Sequence, residues 1–526
     1  MTIWYVRPDT SHSGTRNGQT YATAWGGWSE IIWGASGVKA GDTLYVCGPH
    51  LITSAIAVGT HGAGGTSATD RVTISGGFGP NPGSINVNAA GGYFLQMGKS
   101  HTTLEDITVR ANTSYALYFF AAGTLVGVTV RRCTLNGGTG AAILNMSGSS
   151  GLNHSDLTID DNDFIGVSGA SLGSAINWLA AKTATPLTTL ERVTITNNRF
   201  TECSSNRAVI HLRAEDGSNA GSTMADIVVS GNSFIDCRAS AMEIYAPDRR
   251  NAGIRITDNI IRNQIAVGTI GGGMSIGGFG PSLTDGFGSN VIARNEGYVL
   301  HGPTGLVNVF YGTYRIFSNI GEDLTTDTID GSGILFDHGN DACVAFNNLF
   351  RRLMGKPGIY YSGNGITVLD STNVRAFGNV VEDAYCGIHF GNQHAGQSSD
   401  IHNNTFVRCS MAVDMLATAD KLNNLVRNNI FTANGSVPSV RVASGTWTGE
   451  SNNCFHGFGA VFGHTLSATT DFIDPRLDHK YRPQVQFSAG TYLPGKDFYG
   501  KPLPLTPILG AVVELPPHYD VSLAKL

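Results

Sequence analysis

The sequence contains no run of about 18 or more consecutive apolar residues, the length that a membrane-spanning helix requires. Charged residues make up only 14% of the 526 positions, and the formal net charge is −6. So mild a balance favours neither a nucleic acid nor an anionic membrane as the partner. The residues that follow Met1 also lack the basic segment and apolar core of a secretory signal. We therefore expect neither a nucleic acid nor a membrane as the partner. We also expect that a secretory signal has been removed or that the protein leaves the cell by another route, such as lysis.

Cysteine is scarce, and none of the eight residues has a spacing suited to zinc, such as C-x-x-C. Cys203, Cys237 and Cys409 each follow the large apolar residue of a repeated motif by three positions. Equivalent positions stack in successive units of a repeat protein. We therefore predict a buried column of small apolar thiols rather than disulfides or metal ligands.

In place of these features the sequence repeats one motif, a short apolar strand followed by Asn and a large apolar residue. Copies stand at 193–200, 227–234 and 254–261, with no helical period between them. Asn suits a turn because it tolerates positive φ and hydrogen-bonds the neighbouring backbone. The Asn positions step forward by 24 to 36 residues, at 162, 198, 232, 259, 295, 319, 348, 379, 404, 429 and 453. A unit of this length made of strands alone predicts an all-β solenoid, a single parallel β-helix.

The two ends of the chain differ in composition from the repeats. Residues 1–50 hold four of the six Trp, and the segment 25–36 could form a short amphipathic helix. An open solenoid end exposes apolar core and unpaired strand edges, so we interpret 1–50 as an N-terminal cap, with a sugar-stacking surface as the alternative. Residues 51–465 are the predicted β-helix. Residues 466–526 are rich in Pro and are predicted to add a strand or two that close the far end.

Two stretches break the rhythm of the repeats, residues 262–290, which are rich in Gly, and residues 296–340. Long excursions from a rigid scaffold usually carry binding or assembly functions. We expect both stretches to be loops of this kind.

A second strand in each repeat can be aligned by its small residue and its alternation of apolar and polar positions. This alternation directs the apolar residues inward and the middle residue outward. Parallel rungs lie about 4.8 Å apart, so His211 and Glu243 are predicted neighbours, as are His389 and Asp414. The outward column is predicted to comprise Asn177, His211, Glu243 and Ser275, followed later by Tyr360, His389, Asp414 and Arg441.

The polar face around Glu243 could support glycoside hydrolysis. A hydrolase needs two carboxyl groups about 5–5.5 Å apart for retention of configuration or about 6.5–9.5 Å apart for inversion. Glu243 could form such a pair with Glu215, Asp216 or Asp248, depending on the geometry of the turns.

The same face could instead support a polysaccharide lyase, which needs a base to remove a proton and a cation to neutralise the neighbouring carboxylate. His211 or Tyr245 could be the base, and Arg213 or Arg249 the cation. Asn177 would contact the substrate. Against both functions stands the interpretation that these residues form ordinary cross-strand ion pairs on a solvated face.

Other residues are candidates for binding the substrate, or for the site itself if it lies further along the chain. They are Asp337, His338, His389 and Asp414. Trp447 could be a sugar platform or part of a packed turn. We predict no metal or other cofactor, although the acidic turns 160–163 and 327–330 could hold calcium.

Three features together resemble the right-handed parallel β-helix proteins of the pectate-lyase-like superfamily, over nearly the whole chain. They are the aromatic start that runs from Trp4 to Leu44, the ladder of Asn turns, and the ending that runs from Asp497 to Ala511. The superfamily includes pectate and alginate lyases, polygalacturonases, mannuronan epimerases and phage tailspike depolymerases. The resemblance implies right-handed coiling, which also agrees with the handedness of parallel crossovers. It supplies no catalytic residues, because the Asp-Pro-His motif of the epimerases and the Lys/Arg arrangement of chondroitinase-B-like lyases are missing.

The sequence is most like the tailspike group, whose members often form trimers. This resemblance implies an extracellular virion protein that forms a homotrimer and has other tail proteins as partners. It also implies that the protein binds a bacterial surface or acidic polysaccharide and cleaves it as a hydrolase or lyase. One alternative is a non-catalytic receptor-binding or structural tail protein. Another is a secreted bacterial uronan lyase.

Overall fold

The computed structural model describes most of the chain in two units, Met1–Ser282 and Leu283–Leu526. The described residues are 1–8, 14–53, 62–88, 93–112, 115–119, 124–138, 142–147, 153–169, 174–180, 189–214, 223–246, 253–265, 272–279, 290–326, 331–355, 362–416, 419, 423–434, 440–443, 446–458, 465–467 and 474–477. These residues contain no α-helix, and none of their helical segments is long and apolar enough to cross a membrane.

Each unit is a parallel β-helix in which successive rungs add strands to three sheets. We name the sheets 1, 2 and 3 in the order in which the chain visits them within a rung. Sheet 1 is followed by the Asn turn, then by sheet 2, and then by sheet 3. The predicted all-β fold is confirmed.

In the first unit, sheet 1 contains Ile3–Val6, Thr43–Val46, Val72–Ser75, Thr102–Glu105, Thr124–Val126, Thr129–Arg131, Asn153–Asp160, Thr189–Thr196, Thr223–Ser230 and Arg255–Thr257. Sheet 2 contains Pro49–Ile52, Ser84–Val87, Thr108–Ala111, Thr134–Asn136, Asp163–Ile165, Arg199–Thr201, Ser233–Ile235 and Ile260–Ile265. Sheet 3 contains Tyr93–Gln96, Tyr115–Tyr118, Ile143–Ser147, Ser168–Gly169, Ile176–Ala180, Ser204–Ala214, Arg238–Tyr245 and Met274–Gly277.

In the second unit, sheet 1 contains Val291–Ala293, Arg315–Phe317, Val344–Phe346, Val374–Phe377, Ser399–His402, Asn424–Arg427 and Glu450–Ser451. Sheet 2 contains Glu296–His301, Ile320–Thr325, Leu349–Met354, Val380–Ala384, Thr405–Cys409, Ile430–Ala433 and Cys454–His456. Sheet 3 contains Val307–Phe310, Ser332–Phe336, Asn364–Leu369, Cys386–Gly391, Met411–Met415 and Val440–Val442. The described residues of 296–340 therefore belong to ordinary rungs, and the interpretation of this stretch as a long loop is wrong for them.

The Asn turns form a buried hydrogen-bonded ladder that explains the repeat. Asn348 Oδ1 accepts from the backbone N–H of Asn319 at 3.0 Å and from its Nδ2 at 2.9 Å. Asn348 Nδ2 in turn donates to the carbonyl of Ile316 and to Asn379 Oδ1. Because each amide pairs the polar groups of the neighbouring turn, a buried turn needs no water. The first unit repeats the pattern from Asn162 to Asn259.

Side chains of one type stack along the interior of each unit. Phe164, Phe200 and Phe234 stack with ring centroids 4.7 and 4.8 Å apart in the first unit. All eight cysteines are buried and none forms a disulfide, as predicted for Cys203, Cys237 and Cys409. Such columns fill the narrow interior with side chains of matched size.

The aromatic residues of the N-terminal segment pack together, but without the predicted helix, and the function of this segment as a cap stays a prediction. Trp4 and Trp25 are buried and stacked at 5.3 Å, and Trp4 Nε1 donates to the carboxylate of Asp42. Within 25–36 only Trp28–Glu30 is helical, as a single 3-10 turn. The flanking backbone is extended at Gly27 and left-handed at Gly34, and no side chain caps the turn, so an α-helix is not stabilised.

The far end of the chain is described only at 465–467 and 474–477, where Leu477 packs against Ile430 and Cys454. The closing strands predicted for 466–526 lie largely outside the described residues. The boundaries at 50 and 465 stay predictions.

Candidate functional site

The outward column of sheet 3 in the first unit has the predicted register. Asn177 pairs with His211, His211 with Glu243, and Glu243 with Ser275. The four residues are buried, although they point away from the apolar interior. They therefore do not form ordinary cross-strand ion pairs on a solvated face. Polar groups that are buried in this way need hydrogen-bond partners.

His211 lies between an amide and a carboxylate. Its Nδ1 is 3.0 Å from Asn177 Oδ1, and its Nε2 is 3.5 Å from Glu243 Oε2. Because Asn177 Oδ1 can only accept, Nδ1 carries the proton and the neutral ring presents a lone pair at Nε2. Two acceptors, Nε2 and Oε2, therefore face each other, and neither makes a hydrogen bond with any residue that the structure describes.

Two arginines on the strand of His211 approach the other oxygen of Glu243. Arg213 Nη1 donates to Oε1 at 2.8 Å, and Arg207 Nη1 lies 3.7 Å from the same atom. The guanidinium of Arg213 also lies over the ring of Tyr245, 5.1 Å from its centroid. With one carboxylate, two guanidinium groups and a neutral imidazole, the described site has a net positive charge.

Burial and the two arginines lower the pKa of His211 to about 3. Burial acts first because an apolar surrounding disfavours the charged imidazolium, and the positive charges of Arg207 and Arg213 add to this effect. The imidazole is therefore neutral at physiological pH, the state that a base requires.

Several predicted members of this site cannot be placed. Glu215, Asp216, Asp248 and Arg249 lie outside the described residues. Among the residues that are described, Glu243 is the only carboxylate that contacts His211, Arg207 or Arg213. Arg207 is a member of the site that sequence reasoning missed.

The corresponding column in the second unit contains a closed ion pair. Asp414 Oδ1 and Oδ2 each accept from Arg441 at 2.7 Å, and Oδ2 also lies 2.9 Å from His389 Nδ1. Burial alone would raise the pKa of Asp414, but the hydrogen bonds from His389 and Arg441 outweigh it and lower the pKa. Both carboxylate oxygens are thus occupied, unlike those of Glu243.

The predicted place of Tyr360 in this column is wrong, because Thr367 pairs with His389. The strand Asn364–Leu369 supplies this rung, and Tyr360 lies outside the described residues. Both segments have a Gly-Ile-x sequence, so alternation could not separate them.

Asp337 and His338 form a separate, more exposed group. His338 Nε2 lies 3.4 Å from Asp337 Oδ1, and its Nδ1 lies 3.5 Å from Asp370 Oδ2. Asp370 also pairs with His394 at 3.3 Å. The group sits at the carboxyl ends of the sheet 3 strands, whereas His389 and Asp414 lie within theirs.

Of the two interpretations of Trp447, the structure favours the packed turn, because the ring is buried and its Nε1 donates to the carbonyl of Asn424 at 2.8 Å. No group of three or more His, Cys, Asp or Glu side chains in the described part of the chain could hold a metal ion. In the acidic turn 160–163, Asp160 bonds Thr196 and Asn197, and Asp163 pairs with Arg199. The other predicted calcium turn, 327–330, lies outside the described residues.

A family model for the periplasmic copper-binding protein NosD matches residues 319–453, which contain the Asn ladder from Asn319 to Asn453. The parallel rungs, the three sheets and this match all indicate a β-helix fold. The chain is a parallel β-helix protein that is similar to this family over residues 319–453. The family name does not carry copper binding to this chain, since its described residues offer no metal-ligand cluster. No curated protein sequence matches the chain.

Solved structures with a similar fold include a PL6 family polysaccharide lyase from Pseudopedobacter saltans. It is 11% identical, with 91% of this chain and 96% of that chain covered and a TM-score of 0.34. A PL6 alginate lyase in complex with a trisaccharide is also 11% identical, over 91% and 90% of the two chains, with a TM-score of 0.37. The GH136 lacto-N-biosidase from Eubacterium ramulus is 11% identical, with 89% of this chain and 68% of that chain covered and a TM-score of 0.28. Likenesses this distant give no argument about activity.

Proposed function

We propose that the protein is a lyase of acidic polysaccharides and that its site is the sheet 3 face around His211 in the first unit. The observation that carries this proposal is the neutral imidazole of His211, whose Nε2 faces Glu243 Oε2. Neither of these two atoms has a hydrogen-bond partner among the described residues, and Arg207 and Arg213 flank the pair. Proton abstraction beside a uronic carboxylate needs a base and a cation of this kind.

The charge of the described site favours elimination over hydrolysis. Hydrolysis in its usual form needs two carboxyl groups, and Glu243 is the only one that contacts this group among the described residues. Glu215 and Asp248, the predicted partners of Glu243, lie outside the described residues. A site with net positive charge also attracts an anionic chain rather than a neutral one.

In the proposed reaction His211 Nε2 takes the proton from the carbon that carries the uronic carboxylate. The electron pair of that C–H bond forms a double bond to the adjacent ring carbon, and the glycosidic C–O bond at that carbon breaks. The leaving oxygen gains a proton, for which Tyr245 is the proposed donor. Asn177 orients the imidazole through Nδ1, and an arginine neutralises the carboxylate, whose charge increases in the transition state.

Access to His211 and Glu243 is restricted, because their side chains are only 7% and 2% exposed. Arg207 and Arg213, which contact Glu243, do reach solvent, and their side chains are 44% and 22% exposed. The carboxylate of a sugar would therefore approach past the arginines. The same burial is the observation that favours the alternative function, a non-catalytic protein that binds glycan.

The biological setting stays a prediction from the resemblance. We propose an extracellular or virion protein of the tailspike type that acts on a bacterial surface polysaccharide, with a homotrimer and other tail proteins as expected partners. A secreted uronan lyase would have the same chemistry on a different substrate.

The test is a panel of uronans and bacterial capsules incubated with purified protein, with ultraviolet absorbance of unsaturated ends and reducing ends measured together. We expect both signals to rise, and His211→Gln to abolish both. His456→Gln is the matched control, because this partly exposed imidazole lies in sheet 2 of the second unit. Reducing ends without unsaturated product would indicate hydrolysis, and full activity of His211→Gln would exclude this site. Binding without cleavage would support the non-catalytic alternative.

A further inference from the structure

Arg207 and Arg213 contact the same oxygen of Glu243 in different ways. Arg213 is hydrogen-bonded at 2.8 Å and lies over Tyr245, which fixes its guanidinium on two sides. Arg207 lies at 3.7 Å, beyond hydrogen-bond distance, and its side chain is 44% exposed. Arg213 is thus a structural partner of Glu243, whereas Arg207 is loosely held and can turn to another anion at little cost.

The surroundings of His211 make the arrangement sensitive to that movement. Asn177 faces the ring from the preceding rung and Glu243 from the following one, while Arg207 and Arg213 stand on the same strand, with Tyr245 against Arg213. Burial and the charges of the two arginines keep the pKa of His211 at about 3. A base this weak removes a carbon-bound proton poorly, because general bases work best with a pKa near the operating pH.

We propose that Arg207 acts as the sensor of an acidic substrate. When a sugar carboxylate binds, Arg207 moves from Glu243 to that carboxylate. His211, assisted by Glu243, then becomes an active base, and it does so only while the carboxylate is bound. This inference rests on the proposed function of the same site. It assigns a specificity-determining role to a residue that the register of the strand did not single out.

Two effects act in the same direction when an acidic sugar binds. The positive charge of Arg207 is neutralised by the substrate, and the carboxylate of Glu243, with one cation fewer, attracts a proton to the facing Nε2 more strongly. Both raise the proton affinity of the imidazole. A neutral sugar offers hydroxyl groups alone, which do not compete with Glu243 for a guanidinium. Selectivity for acidic glycans would then arise in the chemical step as well as in binding.

The first test follows the titration of His211 by NMR of histidine-labelled protein, with the resonance identified by its loss in His211→Gln. The probes are sodium glucuronate and glucose at equal ionic strength. We expect glucuronate to raise the titration midpoint of His211 and glucose to leave it unchanged. Arg207→Gln is expected to have a raised midpoint without any sugar and no further response to glucuronate.

The matched control is Arg199→Gln, because Arg199 is an exposed arginine of the same rung that pairs with Asp163 on sheet 2, outside the site. This variant should respond to glucuronate as the unmodified protein does. An unchanged titration with glucuronate, or an equal shift in Arg207→Gln, would overturn the proposed exchange.

The second test measures kcat and KM on the acidic polysaccharide that the panel identifies. Arg207→Gln should lower kcat/KM roughly 10- to 100-fold, as expected for the loss of one hydrogen bond between charged groups. Arg207→Lys keeps the charge and should restore part of that loss, and Arg199→Gln should match the unmodified protein. Cleavage that depends on His211 but not on Arg207 would overturn the sensor alone. A titration shift that depends on Arg207, without cleavage of any polymer, would overturn the lyase function and leave Arg207 as a carboxylate-binding residue.

Discussion

His211 Nε2 lies 3.5 Å from Glu243 Oε2 on the neighbouring rung, and neither atom has a hydrogen-bond donor among the described residues. An unpaired buried polar atom destabilises a fold by about 1–3 kcal/mol. The second unit shows the alternative, since Asp414 in the corresponding column of that unit has both oxygens bonded. A purely structural pair would be closed in the way that Asp414 is, so the open pair around His211 is the better candidate for binding or chemistry.

The stability of the protein should depend on pH through His211. Its folded pKa of about 3 lies below the ordinary value of 6.5, so between these values the unfolded chain binds the proton and the folded chain does not. The free energy of unfolding therefore falls as the pH drops from 6.5 toward 3, by up to about 1.4 kcal/mol per pH unit for one such group. Urea unfolding of His211→Gln should show a shallower slope between pH 6 and pH 4.5.

Other imidazoles set the background of this measurement, among them the partly buried His402, whose pKa is also lowered by burial. Burial lowers the pKa of His50 and of His154 to about 4, so the slope should persist in His211→Gln at a reduced size. The partly exposed His456 again supplies the control, and His456→Gln should have the slope of the unmodified protein. Equal slopes in all three proteins would mean that His211 is protonated in the folded state.

Asp414 should also contribute stability that is lost as the pH falls, but through a charged group that its partners stabilise. Its folded pKa lies below the ordinary 3.8 because His389 and Arg441 bond the carboxylate. The contribution is complete above pH 3.8 and is lost as the pH falls through the folded pKa. Asp414→Asn should lower the free energy of unfolding by about 3–5 kcal/mol at pH 7, as expected when one partner of a buried pair is removed. The difference should narrow below pH 3.8, and an exposed control, Asp156→Asn, should differ by less than about 1 kcal/mol.

The fold could be predicted because the Asn ladder that stabilises it places the same residue at the same point of successive repeats. Each Asn of the ladder bonds the turns before and after it, so no other residue replaces it, and Asn198, Asn232 and Asn348 all stand out in the sequence. The segment 25–36 could not be predicted in the same way. Its Trp residues follow the packing of the cap and not a helical period, and glycines interrupt the backbone.

The site was predicted where strand alternation holds and missed where it fails. His211 and Glu243 follow from the register of regular strands. Arg207 lies in the stretch between Ser204 and Ala208 where that register shifts, so counting alternate positions cannot tell which way its side chain points. Burial of the site and of Trp447 depends on segments distant in sequence, which local patterns do not contain.

Removal of one amide from the Asn ladder should be costly. Asn348→Ala leaves the backbone N–H of Asn319 and the carbonyl of Ile316 without their side-chain partners inside the core. We expect a loss of about 2–4 kcal/mol in the free energy of unfolding, from two unpaired buried groups and a small cavity. Asn153→Ala is the control, because this exposed side chain accepts a hydrogen bond from Thr189 and lies outside the ladder. A loss no larger than that of the control would show that water can replace the ladder.

The buried thiols should be inert in the folded protein. Burial raises the pKa of Cys133 and of Cys409 to about 12, and all eight cysteines are buried without disulfides. The thiolate is the reactive form, and the hydrogen bond with Cys203 lowers the pKa of Cys237. Burial nevertheless keeps the reagent from all eight sulfur atoms, so at pH 8 a thiol reagent such as dithionitrobenzoate should modify none of them on the time scale of minutes. Addition of urea should release all eight together, because a cysteine becomes accessible only when its rungs separate. Stepwise release would instead show that parts of the β-helix open independently, which the nearest-neighbour stability of repeat proteins allows. The order of release, read by mass spectrometry of the labelled peptides, would then identify the rungs that open first.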